Sequence, residues 1–226
     1  AGARRAGAGP AGDRAAVGAG LGPSARCGPG RARAARRNLA TMAGQDVKLS
    51  GAPDGRGLRV GEVPDEAALR AFSASAARDG RRLVVGAVIT DGAGRVFVQR
   101  RSPDRALFPG AWDMVGGHAE PGEDALDALR REVREETGWE LSALGPVVEL
   151  IDWEAGGVAR REVDVVVTVR GDLRAPALEA GKHDAWRWLS RGETALLDEG
   201  REPQDVWLRD VIERALDLLE ETGFGS

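Results

Sequence analysis

Apolar residues in the second part of the chain predict alternating strands and helices. Leu83–Ile89 is a nearly continuous apolar run, typical of a buried strand. Arg95–Arg100 alternates between polar and apolar residues and follows the turn signal Asp91–Gly94, so we expect the two runs to form a β-hairpin. Val206–Leu219 repeats apolar residues at helical spacing and predicts a C-terminal helix.

Weaker signals of the same kind lie between these elements. A short helix is expected between Pro64 and Gly80, whereas residues 43–62 are polar and glycine-rich and predict a loop. The remaining expected elements are the strands Trp112–Val115, Val147–Trp153, Val163–Val169 and Trp186–Leu189 and the helix Gly122–Thr137, with a loop at Glu154–Ala159. This order predicts an α/β fold with a mixed sheet, and a domain over 81–222, about 140 residues, is long enough for one sizeable core.

Charge divides the chain into two unlike parts. Residues 1–41 carry eight arginines and one acid, a net charge of +7, and the rest carries −11. The leader is rich in Ala, Gly and Arg and poor in large apolar residues, so we expect it to be disordered. Our hypothesis is that Met42 is the natural start. A targeting peptide and a basic binding tail are the alternatives. Residues 42–80 are expected to be a linker plus a short helix.

Several classes of protein are excluded or disfavoured. No run of 18 apolar residues exists, so the sequence predicts no transmembrane helix and no membrane partner. Cys27 is the single cysteine, which excludes an intramolecular disulfide and a zinc site built from cysteines. The net charge of −4 gives no reason to expect nucleic-acid binding. Because no secretory signal is present either, we expect a cytoplasmic protein.

An acidic triplet near the end of the helix Gly122–Thr137 is unfavourable for the stability of that helix. At about 100° per residue, Glu132, Glu135 and Glu136 share one face. Like charges at this spacing repel by a few tenths of a kcal/mol, and carboxylates in a last turn oppose the helix dipole by roughly 0.3–1 kcal/mol each. A hard divalent cation, Mg²⁺ or Mn²⁺, would remove both costs. The alternative is a solvated acidic face balanced by the arginines of the same helix.

A longer frame around the triplet indicates a family. Residues 117–139 read Gly, five residues, Glu, seven residues, then Arg-Glu-Val-x-Glu-Glu-x-Gly-Trp. This resembles the Nudix box, G-x5-E-x7-R-E-U-x-E-E-x-G-U with U a bulky apolar residue, at every specified position, as in the MutT-like members of that family. The resemblance leaves residues 1–80 unexplained. It implies an α/β/α sandwich and the hydrolysis of a nucleoside diphosphate linked to another group, with Mg²⁺ or Mn²⁺ as cofactor.

Roles for the box residues follow from the resemblance. It implies that the metal ligands are Glu132, Glu135 and Glu136, with Gly117 letting the backbone approach the metal. It implies a structural ion pair between Glu123 and Arg131. Gly138 would end the helix in a left-handed conformation.

The box does not identify the carboxylate that accepts a proton from the attacking water. Glu135 and Glu136 are candidates for catalysis within it. MutT-like members often carry a further metal-binding Glu six residues before a strand Trp, but that position is Lys182 here. A related branch shows E-x-x-K in this loop, which suggests Glu179 as accessory ligand or base. Glu162 and Asp164 are weaker candidates.

Further residues could contact the substrate or cofactor. The candidates for phosphate contacts are Arg100, Arg101 and His118, although a solvated or structural role is an alternative for each. The candidates for stacking on a base are Phe108, Trp112 and Trp153, and aromatic residues at such spacings are often core residues instead.

The leading prediction is therefore a Mg²⁺-dependent Nudix pyrophosphohydrolase acting on a small diphosphate, with a homodimer as a candidate assembly. The substrates expected, in order, are (oxidised) nucleoside triphosphates, nucleotide sugars or ADP-ribose, and isoprenoid diphosphates. One alternative is an isopentenyl-diphosphate isomerase, which Phe108–Asp113 faintly resembles, although that enzyme uses a cysteine that residues 42–226 lack. A Nudix-fold regulator that binds a nucleotide without cleaving it is the other, and the intact box argues against it.

Overall fold

Strands and helices alternate along the residues that the structure, a computed structural model, describes: 41–42, 45–51, 57–105, 108–203 and 205–226. The strands are β1 (Thr41–Met42), β2 (Gln45–Asp46), β3 (Lys48–Gly51), β4 (Arg82–Ile89), β5 (Val96–Arg101), β6 (Trp112–Asp113), β7 (Val115–His118), β8 (Glu140–Ala155), β9 (Val158–Arg170) and β10 (His183–Leu189). The helices are α1 (Glu66–Arg78), α2 (Ala125–Thr137), α3 (Trp207–Thr222) and a 3₁₀ helix (Arg191–Asp198). The predicted disordered leader covers residues 1–41; residues 1–40 lie outside the described residues, and Thr41 belongs to β1.

Five strands form a central mixed sheet in the order β3-β8-β9-β4-β7. The pair β4–β9 is parallel, and the other neighbours are antiparallel. A second, antiparallel sheet has three strands in the order β10-β5-β6 and shares none of the described strands with the central sheet. Within the described part of the chain, strands β1 and β2 pair only with each other. The chain therefore has the mixed sheet that the sequence predicts.

Helices cover both faces of the central sheet. Alternate residues of β4 and β9, such as Val85 and Val165, pack with α1 and α2 in one apolar cluster. Their neighbours Val88 and Val166 pack with α3 and the 3₁₀ helix in a second cluster. Because both faces are covered, β4 is apolar along nearly its whole length. The α/β/α sandwich expected from the sequence is confirmed.

Helix α2 begins and ends as its sequence dictates. The side chain of Asp124 caps the N-terminus, where Oδ1 accepts hydrogen bonds from the backbone N–H groups of Leu126 and Asp127, both at 3.0 Å. Gly138 ends the helix at φ 71°, the left-handed conformation expected of it. The prediction that the helix begins at Gly122 is wrong by three residues, because Gly122 has φ 94° and Asp124 is the cap.

The predicted hairpin of β4 with β5 is wrong. The turn closes, since Asp91 Oδ1 accepts from the N–H groups of Ala93 and Arg95 at 2.9 and 3.1 Å. Beyond a single bridge between Thr90 and Val96, however, the two strands enter different sheets. The reason is that β7 and β9 occupy the two edges of β4, so β5 pairs with β6 and β10 instead.

The predicted strand Trp112–Val115 is two strands. Residues 112–113 pair with β5 in the small sheet, and residues 115–118 pair with β4 in the central sheet. Met114 lies between them, and its N–H donates to Asp113 Oδ1 at 3.0 Å. One short run of chain therefore joins the two sheets directly beside the box helix.

Other differences concern length. Strands β8 and β9 extend to a tight turn at Gly156–Gly157, so the predicted loop Glu154–Ala159 is mostly strand. Residues 48–51, predicted as loop, add an edge strand to β8. Polar residues at the partly exposed end of a hairpin (154–159) and on an edge strand (48–51) give little periodic signal, which explains both differences. Among the described residues, no helix combines the length and apolar character needed to cross a membrane.

Gly116 provides a test of the contact between β4 and β7. A Cβ on this residue would overlap the backbone carbonyl of Val85, which cannot move away without disturbing the sheet. We expect Gly116→Ala to lower the free energy of unfolding by about 1–3 kcal/mol, measured by urea denaturation. Gly192→Ala is the control, because nothing lies within 4 Å of its added Cβ. Equal stability of both variants and the wild type would contradict the packing described.

Candidate active site

The acidic triplet lies on the last two turns of α2, against the edge strand β7. Glu132 and Glu136 are buried, whereas 44% of the Glu135 side chain is exposed. The helical spacing brings the three carboxylates onto one side of the helix, as the sequence predicts. Two of the three acids therefore lose most of their solvent and depend on neighbouring groups.

Arg131 is the main cation at this site. Its Nε and Nη2 bind the two oxygens of Glu123 at 2.9 and 3.0 Å, the bidentate geometry of a strong ion pair. Its Nη1 binds Glu132 Oε1 at 2.8 Å and Glu135 Oε2 at 3.1 Å, and Nη2 also donates to the backbone carbonyl of His118. The hydrogen bond from Arg131 holds the pKa of Glu123 below its usual value. The geometry agrees with the structural ion pair expected from the box.

Glu136 is held by a different set of groups. Its Oε2 accepts from Gln99 Nε2 at 2.6 Å and from the N–H of Gly116 at 3.3 Å. Burial raises the pKa of Glu136 to about 8, and the charge of Glu132 adds to the effect, while the two donors oppose it. Burial also raises the pKa of Glu132. A cation beside these carboxylates would favour their ionised forms.

The residues of the triplet fit a hard divalent cation by their chemistry. Glu132, Glu135 and Glu136 each use one oxygen in the contacts above, so each has a second oxygen to offer as a ligand. A Cβ on Gly117 would overlap the carboxylate of Glu132, so a larger residue at this position would displace that carboxylate. The side chains turn toward Arg131 and Gln99, and within the described residues no three His, Cys, Asp or Glu are grouped tightly enough to hold a metal ion as they stand.

A loop after β9 brings a second charged pair to the triplet. The N–H of Ala177 donates to the carbonyl of Thr137 at 2.8 Å, which attaches this loop to the end of α2. Farther along, Lys182 Nζ lies 2.7 Å from Glu179 Oε2. Burial lowers the pKa of Lys182, but Glu179, Glu136 and Glu132 outweigh it and the net shift is upward. Lys182 is thus close enough to feel the charges of the triplet.

The candidate phosphate ligands lie in unequal positions. Arg100 makes a bidentate ion pair with Asp184 at 2.8 and 3.1 Å, and strand alternation places it on the opposite face of β5 from Gln99. Arg101 lies on the same face as Gln99 and binds Asp113 at 3.1 Å. The arrangement favours Arg101 over Arg100 as a phosphate ligand. At the end of β7, His118 Nε2 accepts from Arg160 Nε at 3.0 Å, and burial lowers the pKa of His118.

The three candidate stacking residues are also separated. Trp112 is buried in the second apolar cluster, where its Nε1 donates to Glu199 Oε2 at 3.3 Å. The ring of Phe108 lies 5.0 Å from the guanidinium of Arg201. Trp153 is half-buried on the central sheet beneath Arg160. Of the three, Trp153 lies beside Arg160, which donates to His118 at the end of β7.

Sequence reasoning missed two groups that hold Glu136. Gln99 is fully buried on β5, and its Oε1 lacks a hydrogen-bond partner among the described residues. A polar residue ending the apolar run Val96–Val98 is a signal that could have identified it. The N–H of Gly116 could not be found this way, because only the pairing of β7 with β4 places it.

These features agree with a comparison against known protein families. Residues 80–211, more than half of the chain, match the NUDIX domain. The chain belongs to the Nudix family. The Nudix membership predicted from residues 117–139 is therefore confirmed.

Individual relatives match shorter segments. The chain is 50% identical over 48 residues to nucleoside triphosphatase NudI of Escherichia fergusonii, which covers 21% of this chain and 34% of the relative. It is 46% identical over 55 residues to the NudI of Enterobacter sp. strain 638, covering 24% and 39%. The chain thus spans about a third of the length of the curated relatives it matches.

Solved structures of Nudix proteins are similar over longer stretches. The MutT protein from Methanosarcina mazei Go1 is 25% identical with a TM-score of 0.48, over 63% of this chain and 96% of that one. A NUDIX hydrolase from Nitrosomonas europaea is 23% identical with a TM-score of 0.45, over 60% and 88%.

Replacing Arg131 tests its role at the centre of the box. Arg131→Met would leave Glu123, Glu132 and Glu135 without their shared cation, so we expect the free energy of unfolding to fall by at least about 2 kcal/mol. Arg130→Met is the matched control on the same helix, since its ion pairs are 3.7 and 3.8 Å long and exposed, and it should change stability by less than about 0.5 kcal/mol. Urea denaturation of both variants measures the difference, and similar losses would contradict a special role for Arg131.

Proposed function

We propose that this Nudix protein is a pyrophosphohydrolase that uses Mg²⁺ or Mn²⁺ to hydrolyse the diphosphate linkage of a nucleoside triphosphate or a nucleoside diphosphate derivative. The observation that carries the proposal is the crowding of Glu132, Glu135 and Glu136 at the buried end of α2, with one guanidinium among them. Such an arrangement is unfavourable for a helix alone and favourable around a cation. The name of the NudI relatives, nucleoside triphosphatase, supports a nucleotide substrate.

The proposed chemistry divides between the cation and the protein. When bound to Glu132, Glu135 and Glu136, a divalent cation supplies charge neutralisation for the diphosphate and a water of lowered pKa. The protein holds two of these ligands in place, with Arg131 at Glu132 and with Gln99 and Gly116 at Glu136. Gly117 leaves room for the Glu132 carboxylate at the edge of the sheet.

A carboxylate must also accept the proton of the attacking water. We propose Glu135 for this step, as an alternative to its role as a metal ligand, because it is the exposed member of the triplet and can reach solvent. Glu179 is the alternative, which its pairing with Lys182 beside the triplet supports. Arg101 is the proposed phosphate ligand on β5, and His118 stays a prediction for the same role. A cytoplasmic location and a homodimer also stay predictions.

The metal-binding role is tested with Glu136→Gln on a panel of diphosphates. The panel contains nucleoside triphosphates, a nucleotide sugar, ADP-ribose and an isoprenoid diphosphate, each with Mg²⁺ and with Mn²⁺. We expect kcat on the best substrate to fall at least about 100-fold, or about 2.7 kcal/mol, because one charged ligand is lost. Mn²⁺ affinity, measured by electron paramagnetic resonance, should fall as well.

Glu140→Gln is the control for this experiment, since Glu140 is an exposed residue just beyond the box. Wild-type kcat and Mn²⁺ affinity in Glu136→Gln would overturn the metal assignment. Conversion of the isoprenoid diphosphate to an isomer, without release of phosphate or pyrophosphate, would instead support the isomerase alternative.

Lys182 offers a separate test of phosphate binding. Its ammonium group lies in the field of Glu132 and Glu136, where it can contact an anionic substrate that bridges to the cation. We expect Lys182→Met to raise KM for the best substrate at least about tenfold with a smaller change in kcat. Lys48→Met is the matched control, because Lys48 is the only other lysine of the chain and is exposed on β3. An unchanged KM would remove Lys182 from the site.

A further inference from the structure

Two acidic side chains are buried on the central sheet, beside the box but outside it. Glu162 and Asp164 are two residues apart on β9, so they point to the same face. Glu162 is 6% exposed and Asp164 is fully buried. Among the described residues neither acid forms an ion pair, and neither oxygen of Asp164 receives a hydrogen bond from a defined donor. Buried carboxylates without a cation are rare in folded proteins.

The two carboxyls are neighbours on one face of β9, and the charge of Glu162 opposes ionisation of Asp164. Burial raises the pKa of Glu162 to about 7 and holds the pKa of Asp164 well above its ordinary value, and Glu149 adds to both effects. The nearby Arg214 is already bound to Glu149 at 2.7 Å. A buried carboxyl of raised pKa can keep its proton, so the pair can offer an O–H donor as well as carboxylate acceptors.

A sheet selected only for stability would carry apolar residues here. Val166 occupies the next position on the same face of β9 and is packed in the second apolar cluster. Burying polar groups without partners costs on the order of 1–3 kcal/mol each. Position 86, opposite Asp164 on β4, is glycine, and a Cβ there would overlap Asp164 Oδ1. The local sequence thus accommodates the unpartnered carboxyl, which indicates a function.

The surroundings of the pair suit a flat ligand. Trp153 Nε1 donates to Glu162 Oε2 at 2.6 Å, which fixes the indole beside the acids. The guanidinium of Arg160 lies 4.5 Å from the Trp153 ring and donates to His118. Residues that pair with Glu162 across the sheet, Ile151 and Val84, are only 9% and 7% exposed, whereas Trp153 and Arg160 beside them are partly exposed. The indole of Trp153 therefore lies next to the carboxyl of Glu162.

The pair lies at a definite distance from the triplet. Asp164 pairs with Gly86, and Gly86 pairs with Gly116, whose N–H donates to Glu136. Two interstrand steps separate Asp164 from Gly116, which corresponds to about 10 Å. A nucleoside can span this interval, with its base at the acids and its phosphates at the box.

We propose that Glu162, supported by Asp164 beneath it, binds the hydrogen-bonding edge of a nucleobase, with Trp153 as the adjoining wall. The substrate is then a nucleoside triphosphate or a nucleoside diphosphate derivative, and not a diphosphate that lacks a base. The O–H of the pair donates to a ring nitrogen or carbonyl of the base, and the carboxylate oxygens accept from its N–H groups. The inference rests on the proposed function, which places the phosphates at the box.

Calorimetric binding separates the base from the phosphates. The probes are α,β-methylene analogues of the four nucleoside triphosphates and base-free methylenediphosphonate, each with Mg²⁺. Glu162→Gln and Asp164→Asn keep the side-chain shape but fix the donor on nitrogen. We expect each variant to bind the best nucleotide analogue at least about tenfold more weakly, to change the order of preference among bases, and to bind methylenediphosphonate as the wild type does. Glu140→Gln is the control.

Three results would overturn the inference: unchanged affinity for every nucleotide analogue, an equal loss for nucleotides and methylenediphosphonate, or loss of Mn²⁺ binding in the variants, which would make the acids metal ligands. If Asp164→Asn does not fold, Glu162→Gln and Trp153→Phe provide the test, since Trp153→Phe keeps an aromatic ring and removes the indole donor.

Hydrolysis is measured separately. A wild type that binds nucleotides through these acids but hydrolyses none would refute the proposed function alone, and one that hydrolyses without base preference would refute this inference alone.

Discussion

The contacts of Arg131 are the interaction on which the box depends. One guanidinium binds Glu123 at the start of the box, Glu132 and Glu135 near its end, and a backbone carbonyl of β7. It therefore fixes the loop, the helix and the edge of the sheet relative to one another. It also provides positive charge to a turn that the helix dipole makes unfavourable for carboxylates. Without that cation the acids could not be kept close together.

The two sheets share the task of placing the carboxylates. Gln99 comes from the small sheet and Gly116 from the central sheet, and both donate to the same oxygen of Glu136. Their positions depend on the separation of β4 from β5 and on the short run 112–118 that crosses between the sheets. The topology thus has a direct chemical consequence, since the buried acid lies where the sheets meet.

Patterns that depend on neighbouring residues could be predicted from the sequence. The face shared by Glu132, Glu135 and Glu136, the cap at Gly138 and the helices on both sides of the sheet follow from periodicity or from the box. Strand pairing could not be predicted, because an apolar run such as Leu83–Ile89 does not state which strands will occupy its edges. A tight turn suggested a hairpin, yet β7 and β9 occupy both edges of β4. The same limit hid Gln99, whose partner is 37 positions away.

The hydrogen bonds to Glu136 also constrain the order of events during folding. Its two donors precede it by 37 and 20 residues and belong to different sheets. Helix α2 can form locally, but this acid obtains its donors only after both sheets have docked, and such long-range contacts form slowly. A partly folded chain would therefore hold the acidic triplet without its supports. Tight cation binding would accordingly develop late in folding, and it would indicate that both sheets have assembled around the helix.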